Sequence, residues 1–147
     1  MKVKIKKLRP EAVIPTKAHI TDAGFDLTAV SYEQDKYGCH VYGFGLAMEI
    51  PLGYVGLIFP RSSVAKYNVA LTNCVGVVDS GYRGEVMAKF KDAQPELETT
   101  ILTHPRYKIG DRVAQIIFIQ LPPTVLCEVK ALTDSDRGNG GYGSTGK

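Results

Sequence analysis

The sequence predicts an all-β protein with a jelly-roll-like barrel. No segment sustains the apolar period of an amphipathic helix, whereas short runs of β-favouring residues alternate with glycine and proline turns. The length of 147 residues fits a single domain with one core. The most hydrophobic run, Arg112 to Leu121, predicts a strand that is central in its sheet or buried against another subunit. A barrel or jelly roll closes such strands around one core.

Strands account for the N-terminal half in order, over residues 2–8, 21–29, 39–50 and 53–59. The first of them alternates lysine with apolar side chains, which indicates a solvated basic face; a basic arm for nucleic acid is the weaker interpretation. The second mixes turn residues with an incipient strand. After Pro60-Arg61-Ser62-Ser63, residues 64–67 predict one helical turn with a serine cap.

Residues 77–86 predict a β-hairpin with Ser80-Gly81 as its two-residue turn. Asp79 precedes the turn and Tyr82 follows it, so a carboxylate lies beside an aromatic ring. A carboxylate can orient or deprotonate water, and a tyrosine ring offers a flat face to a sugar or base. Taken alone, the segment fits an ordinary surface turn better than a functional site.

The second half continues the β pattern. Val86, Ala88 and Phe90 alternate with lysines, which predicts a half-buried strand. A polar loop over 92–98, a strand over 99–103, a turn at Ile109-Gly110-Asp111 and a last strand over 125–130 are also expected.

Composition and charge narrow the classes of function. The net charge of +3 is too small to indicate general nucleic-acid binding, although a cleft could concentrate positive charge around an anion. The apolar runs are far shorter than a membrane span, and the lysine-rich start lacks the apolar core of a signal peptide. The spacing of Cys39, Cys74 and Cys127 is not that of a regular disulfide framework, and no His/Cys cluster has the spacing of zinc ligands. Reduced thiols in a cytoplasmic or equivalent compartment are therefore expected.

The chain divides into a single domain over residues 1–133 and a flexible glycine-rich arm over 134–147. The arm spans the P-loop spacing GxxxxGK, but it lacks the strand and helix that a P-loop requires. An RNA-binding segment or a disordered terminus would also fit its composition. A cation, a stacking ring, bare amides and two hydroxyls within the arm are the parts needed to close over a nucleoside triphosphate.

Five separated segments resemble the motifs of the trimeric dUTP pyrophosphatases (dUTPases), and the resemblance covers nearly the whole chain. In order they are Ala23-Gly24-Phe25-Asp26-Leu27, Pro60-Arg61-Ser62-Ser63, the run from Asn73 to Gly84, Gly110-Asp111-Arg112-Val113-Ala114-Gln115, and the run from Arg137 to Gly146. The resemblance implies a jelly-roll-like homotrimer that shares active sites at its interfaces. It further implies Mg²⁺-dependent hydrolysis of dUTP to dUMP and pyrophosphate, which keeps uracil out of DNA.

The resemblance also implies a role for each candidate residue. Asp79 would activate the water that attacks the α-phosphorus, and Asp26 would contact Mg²⁺ through water. The nucleoside would be held by Asn73, main-chain groups near Val78, Tyr82 and Tyr142. The phosphates would be held by Arg61, Ser62, Ser63, Gln115, Arg137, Gly143, Ser144 and Thr145. Ser80, Arg83 and Asp111 are expected to be structural.

Two residues depart from the usual motifs: Ser63 replaces a common glycine, and Tyr142 replaces a common phenylalanine. A backbone donor survives at the first position, and the stacking face survives at the second. Two rival functions remain open at this point. One is a dCTP deaminase, which shares the fold, and the other is a nucleotide-binding regulator that signals to a protein partner.

Overall fold

Two four-stranded antiparallel sheets and a two-stranded ribbon enclose one core. The computed structural model describes residues 1–93 and 107–141. The described strands are β1 (Lys4–Lys7), β2 (Phe25–Thr28), β3 (Ser31–Gln34), β4 (His40–Gly43), β5 (Leu46–Glu49), β6 (Tyr54–Pro60), β7 (Val69–Leu71), β8 (Gly76–Val78), β9 (Met87–Asp92) and β10 (Arg112–Gln120). The 3₁₀ turn Ser62–Lys66 is the one helical element among the described residues.

Sheet I contains β1 and β5, sheet II has the order β2-β10-β6-β8, and sheet III has the order β3-β4-β9-β7. Every pairing between these strands is antiparallel. The fold is therefore all-β and jelly-roll-like, as predicted.

Inward-facing side chains of all three sheets meet in one core. Leu27, Ile58 and Ile116 come from sheet II, Phe90 from sheet III and Leu46 from sheet I, and all five are buried. The alternation predicted for β9 is confirmed, since Ala88 and Phe90 are buried and its lysines are exposed. Burial of such a face is the main driving force for the fold.

The hydrophobic run of β10 lies inside sheet II rather than at its edge. It pairs with β6 from Ala114 to Gln120 and with β2 on its other side. This confirms the prediction of a central strand. No helix in the described part of the chain is long and apolar enough to cross a membrane. The three cysteines, Cys39, Cys74 and Cys127, are free.

The predicted hairpin over residues 77–86 is wrong. The turn itself exists, because the amide of Tyr82 donates to the carbonyl of Asp79. However, β8 pairs with β6 in sheet II, while β9 pairs with β4 and β7 in sheet III. The segment is therefore a crossover between two sheets. The turn residues fix the reversal of the chain, but the pairing of each strand depends on which sheet it joins.

Two other local predictions fail. No serine side chain caps the 3₁₀ turn: Arg61 occupies the N-cap position and no side-chain bond is made there. The strand predicted over 125–130 is absent from the described chain, and its apolar side chains Val125, Leu126 and Val129 are exposed. The strand predicted over 99–103 lies outside the described residues.

Candidate active site

The crossover between sheets II and III forms one wall of a cleft of about 400 Å³. Asn73, Val78, Asp79 and Tyr82 all line it, and we call it the crossover cleft. The sequence places Asp79 and Tyr82 on either side of a turn without fixing their orientation. In the structure, both contribute to the same cleft.

Tyr82 folds back onto the chain that follows it. Its hydroxyl donates to the carbonyl of Glu85 over 3.0 Å. A Cβ at Gly84 would lie 2.6 Å from Cζ and 2.9 Å from Cε2 of the ring, so only glycine leaves room for this ring position. Tyr82 is 43% exposed, so part of its side chain remains accessible to a ligand. Gly84 thus sets the position of the Tyr82 ring, a role that its place in the third motif did not reveal.

The crossover is anchored at both ends. Glu85 Oε1 accepts the amide of Gly45 at 2.8 Å, and Val86 exchanges backbone bonds with Phe44 and Leu46. Arg83 donates from Nη1 to the carbonyls of Ser80 and Tyr82. These contacts agree with the structural role expected for Arg83, and they fix the cleft wall to the core.

The base of the cleft presents backbone groups. Val78 is 6% exposed and its side chain belongs to the core, so only its main chain can serve a ligand. β8 is an edge strand of sheet II, and its free side has no strand partner among the described residues. An edge strand offers unpaired N–H and C=O groups, which suits recognition of a polar base edge. Asn73 lies beside it, before Gly76.

A second group of polar residues lies at the end of β2, β6 and β10. Asp26 Oδ1 accepts Arg61 Nε at 2.7 Å, and its Oδ2 accepts Arg112 Nη1 at 2.9 Å. We call these three residues the arginine cluster. One carboxylate between two guanidinium groups leaves a net positive charge, which favours an anion. Arg112 was not among the residues predicted from the sequence, although it belongs to the fourth motif.

Strand register explains how this cluster forms. Gln115 pairs with Asp26 on β2 and with Phe59 on β6, which brings the ends of these strands together. A register shift in β10 between Arg112 and Ala114 lets Arg112 reach Asp26 as well. β-Bulges of this kind commonly redirect a side chain near a functional site.

Gln115 supports the cluster from the middle of sheet II. Its amide donates to the carbonyl of Pro60 at 3.0 Å, directly before Arg61. A Cβ at Gly24 would lie 3.1 Å from Cδ of Gln115 and closer still to its Oε1, so Gly24 leaves the space that this side chain fills. In this structure, Gln115 therefore bonds to the backbone of β6.

The turn that follows Arg61 carries Ser62 and Ser63. The amide of Val64 donates to the carbonyl of Arg61, which closes the turn. Ser62 is exposed, while the Oγ of Ser63 is buried and has no hydrogen-bond partner among the described residues. Together with Arg61, these residues form what we call the Arg61 turn.

The remaining candidates stand apart. Arg137 Nε donates to the carbonyl of Gly140, within its own segment. Tyr142, Gly143, Ser144 and Thr145 lie outside the described residues. Asp111 accepts the amide of Lys108 at 2.7 Å, which agrees with its expected structural role.

Comparison with known proteins now bears on this arrangement. The sequence model of the dUTPase family matches residues 10–146. The chain belongs to the dUTPase family. Two relatives, both named deoxyuridine 5′-triphosphate nucleotidohydrolase, are the Rhodococcus erythropolis protein and the Wolinella succinogenes protein. The first is 38% identical across 99% of this chain and 87% of its own length. The second is 40% identical across 100% of this chain and 95% of its own length.

A solved structure of this family has the same fold. The dUTPase of Staphylococcus bacteriophage 80alpha with dUPNHPP superposes with a TM-score of 0.83 at 26% identity, covering 99% of each chain. That phage dUTPase is described as controlling the transfer of virulence genes by a proto-oncogenic G protein-like mechanism. The resemblance to the dUTPase family and the fold expected from it are thereby confirmed.

Proposed function

We propose that this dUTPase-family protein hydrolyses dUTP to dUMP and pyrophosphate by attack of water on the α-phosphorus. The observation that carries the proposal is the crossover cleft, where the carboxylate of Asp79 and the ring of Tyr82 line one cavity. A carboxylate in such a cleft can accept the proton of an attacking water. No covalent nucleophile is needed, because cleavage of a polyphosphate depends mainly on positioning and charge stabilisation.

Recognition of the nucleoside follows from the same cleft. The Tyr82 ring, fixed over Gly84, would pack against the deoxyribose and leave no room for a 2′-hydroxyl. The free edge of β8 near Val78, with Asn73, would pair with the uracil edge. Tyr142 would stack on the base. Cytosine presents a donor where uracil has an acceptor, so main-chain recognition of this kind discriminates between them.

The triphosphate would be held by the arginine cluster and the Arg61 turn. Arg61 supplies charge, and Ser62, Ser63 and Gln115 supply donors close to it. We add Arg112 to this set because its guanidinium shares Asp26 with that of Arg61. Arg137 with Gly143, Ser144 and Thr145 would hold the distal phosphates once the arm over residues 134–147 closes on the domain formed by 1–133.

The described residues fit a magnesium ion only at its outer sphere. They include no group of three or more His, Cys, Asp or Glu side chains that could hold a metal. Both oxygens of Asp26 already accept arginine bonds, although each keeps a lone pair for a water. Mg²⁺ suits this arrangement, since it usually retains waters and binds substrate phosphates. When bound, it would offset part of the charge of the triphosphate, with Asp26 in contact through water.

The two groups of candidate site residues are separated from each other within one chain. Val78 pairs with Gly56, whereas Asp26 and Gln115 lie at the level of Phe59, three residues further along β6. Three strand spacings separate β8 from β2 in sheet II. The separation is therefore about 10 Å along the strands and about 14 Å across them. This separation of Asp26 and Gln115 from Val78 supports a site that a second chain completes.

We therefore propose that each site combines Asp79 of one chain with the arginine cluster of another, in a homotrimer. Two apolar surfaces support association. On the outer face of sheet II, Val77 is 63% exposed and lies beside Leu57 and Ile117 in one cross-strand row. The segment after β10 adds Val125, Leu126 and Leu132, each more than 80% exposed. Exposed apolar surface of this extent is typical of an interface.

The free thiols suit the cytoplasmic location predicted for the protein.

The proposed activity is tested by pyrophosphate release from dUTP, dTTP, dCTP and UTP measured side by side with Mg²⁺. Hydrolysis of dUTP alone is expected, and equal rates on all four would remove the claim of specificity. Asp79→Asn should abolish turnover and leave nucleotide binding largely intact. Glu33→Gln, an exposed carboxylate on β3, is the matched control. Normal turnover by Asp79→Asn would place the base elsewhere.

The two rival functions stay predictions with their own tests. Ammonia release from dCTP would identify a deaminase instead. A regulatory role would appear as capture of a specific protein partner that depends on dUTP. The similarity to the phage 80alpha protein motivates that experiment.

A further inference from the structure

Tyr107 is a buried aromatic residue beside the Arg61 turn, and nothing in the proposed mechanism uses it. It is 6% exposed, and its ring centroid lies 4.1 Å from that of Tyr67, the residue that follows the 3₁₀ turn Ser62–Lys66. On its other sides the ring packs against Phe90 and Tyr42, at 5.9 Å and 6.1 Å. The Tyr42 hydroxyl also donates to the carbonyl of Tyr107. Tyr107 therefore connects the Arg61 turn to the core of sheet III.

The hydroxyl of Tyr107 is buried without a hydrogen-bond partner among the described residues, and the same is true of Ser63 Oγ. Burial raises the pKa of the Tyr107 hydroxyl, and the nearby Ser63 and Arg61 offset part of that rise. The two hydroxyls are thus close enough to interact, near Arg61, but their alignment does not complete a hydrogen bond. Leaving a buried hydroxyl unpaired is destabilising, so two of them side by side indicate a contact that forms in another state.

We propose that Tyr107 is a positioning residue for phosphate binding, whose hydroxyl bonds to Ser63 when the triphosphate draws the Arg61 turn inward. The inference rests on the proposed function, because it takes the turn to be the phosphate-binding element. Hydrogen bonds in an active site are often long in the free protein and tighten in the complex. A bond made only in the complex strengthens triphosphate binding without stabilising the free protein.

Tyr107→Phe tests this directly, because it keeps the ring and removes only the hydroxyl. We expect the free variant to be as stable as the wild type or more so. We expect its dissociation constant for the dUTP analogue dUPNHPP (written dUpNHpp below) to rise by about 3- to 10-fold, the effect of one neutral hydrogen bond. The affinity for dUMP, which lacks the distal phosphates, should change much less. Tyr37→Phe, at an exposed tyrosine far along the chain from the turn, is the control and should match the wild type.

Ser63→Ala supplies the second arm. It should weaken dUpNHpp binding at least as much as Tyr107→Phe, and the double variant should lose little beyond Ser63→Ala, because both changes remove one bond. Calorimetry gives the affinities, and denaturant unfolding gives the stabilities.

Several results would overturn the inference. Unchanged dUpNHpp affinity in Tyr107→Phe would do so, as would fully additive losses in the double variant. A variant that loses stability, or does not fold, would show that the hydroxyl serves the free protein instead. These outcomes differ from failure of the proposed function, in which the wild type itself would bind no dUpNHpp.

Discussion

Replacing Gly84 with alanine should displace the Tyr82 ring and relax selection of the deoxyribose. The new Cβ would lie 2.6 Å from Cζ of Tyr82, and an ordinary contact is at least 3.4 Å. Because the Tyr82 hydroxyl lies closer still, the side chain must retreat by at least about 0.8 Å. Because it is 43% exposed, it can swing toward solvent and lose its hydrogen bond to the carbonyl of Glu85.

The effect on stability should be small and the effect on activity large. Loss of the Tyr82 hydrogen bond costs about 0.5–1.5 kcal/mol. Replacement of glycine stabilises by about 0.4–1 kcal/mol through the unfolded state, which offsets most of that loss. A misplacement of about 1 Å in an active site can lower the rate about 100-fold. We expect kcat/KM for dUTP to fall by about 10- to 100-fold, with a smaller fall for UTP.

Gly81→Ala is a matched control in the same crossover, since nothing lies within 4 Å of a Cβ built there. Pyrophosphate release from dUTP and UTP should be measured for both variants, with unfolding by denaturant to compare their stability. If Gly84→Ala retains the kcat/KM and the dUTP preference of Gly81→Ala, the role given to the fixed Tyr82 ring is wrong.

Three further predictions concern the arginine cluster, high pH and subunit association. Asp26→Asn leaves both arginines without their charged partner, so the free energy of unfolding should fall by about 2 kcal/mol in denaturant unfolding. Glu49→Gln, which breaks an exposed ion pair, is the control and should match the wild type. Burial raises the pKa of Tyr107 above its ordinary 10.0, so its neutral form contributes stability that is lost as pH rises from 10 through the raised value. Over this pH range the wild type should lose stability more steeply than Tyr107→Phe. Parallel curves of unfolding free energy against pH would contradict this. Leu126→Ser removes an apolar side chain that is 94% exposed in the single chain; sedimentation should show weaker association, and an unchanged trimer would exclude this segment from the interface.

Patterns of local alternation predicted much of the fold. β9 and β10 followed from their apolar content and spacing, because the burial of apolar side chains leaves a direct imprint on the sequence. The pairing of strands did not follow. Ser80-Gly81 predicts a turn, but the turn leads from sheet II to sheet III. The strand before it, β8, pairs with β6, and the strand after it, β9, pairs with β4. Local chemistry carries no information on such distant partners.

The candidate site was predicted only where its residues are close in sequence, because contacts between distant strands leave no local signal. Asp79 and Tyr82 are close in sequence, and their shared cleft depends on one short segment. The approach of Arg112 to Asp26 depends on the register of β10 against β2, so no local signal identified it. Gly84 lies within a motif, but its role became evident only from the Tyr82 ring that lies over it.

The central claim is that Asp79 of one chain acts on a triphosphate held by Arg61 of another. Mixing two inactive variants tests it most directly: Asp79→Asn and Arg61→Ala are unfolded together, refolded together, and assayed for pyrophosphate release from dUTP. If chains share sites, random assembly gives an intact Asp79 facing an intact Arg61 in about a quarter of the sites, and activity returns to about that fraction of the wild type. If each site belongs to a single chain, the mixture stays as inactive as either variant alone, and the claim of shared sites is contradicted.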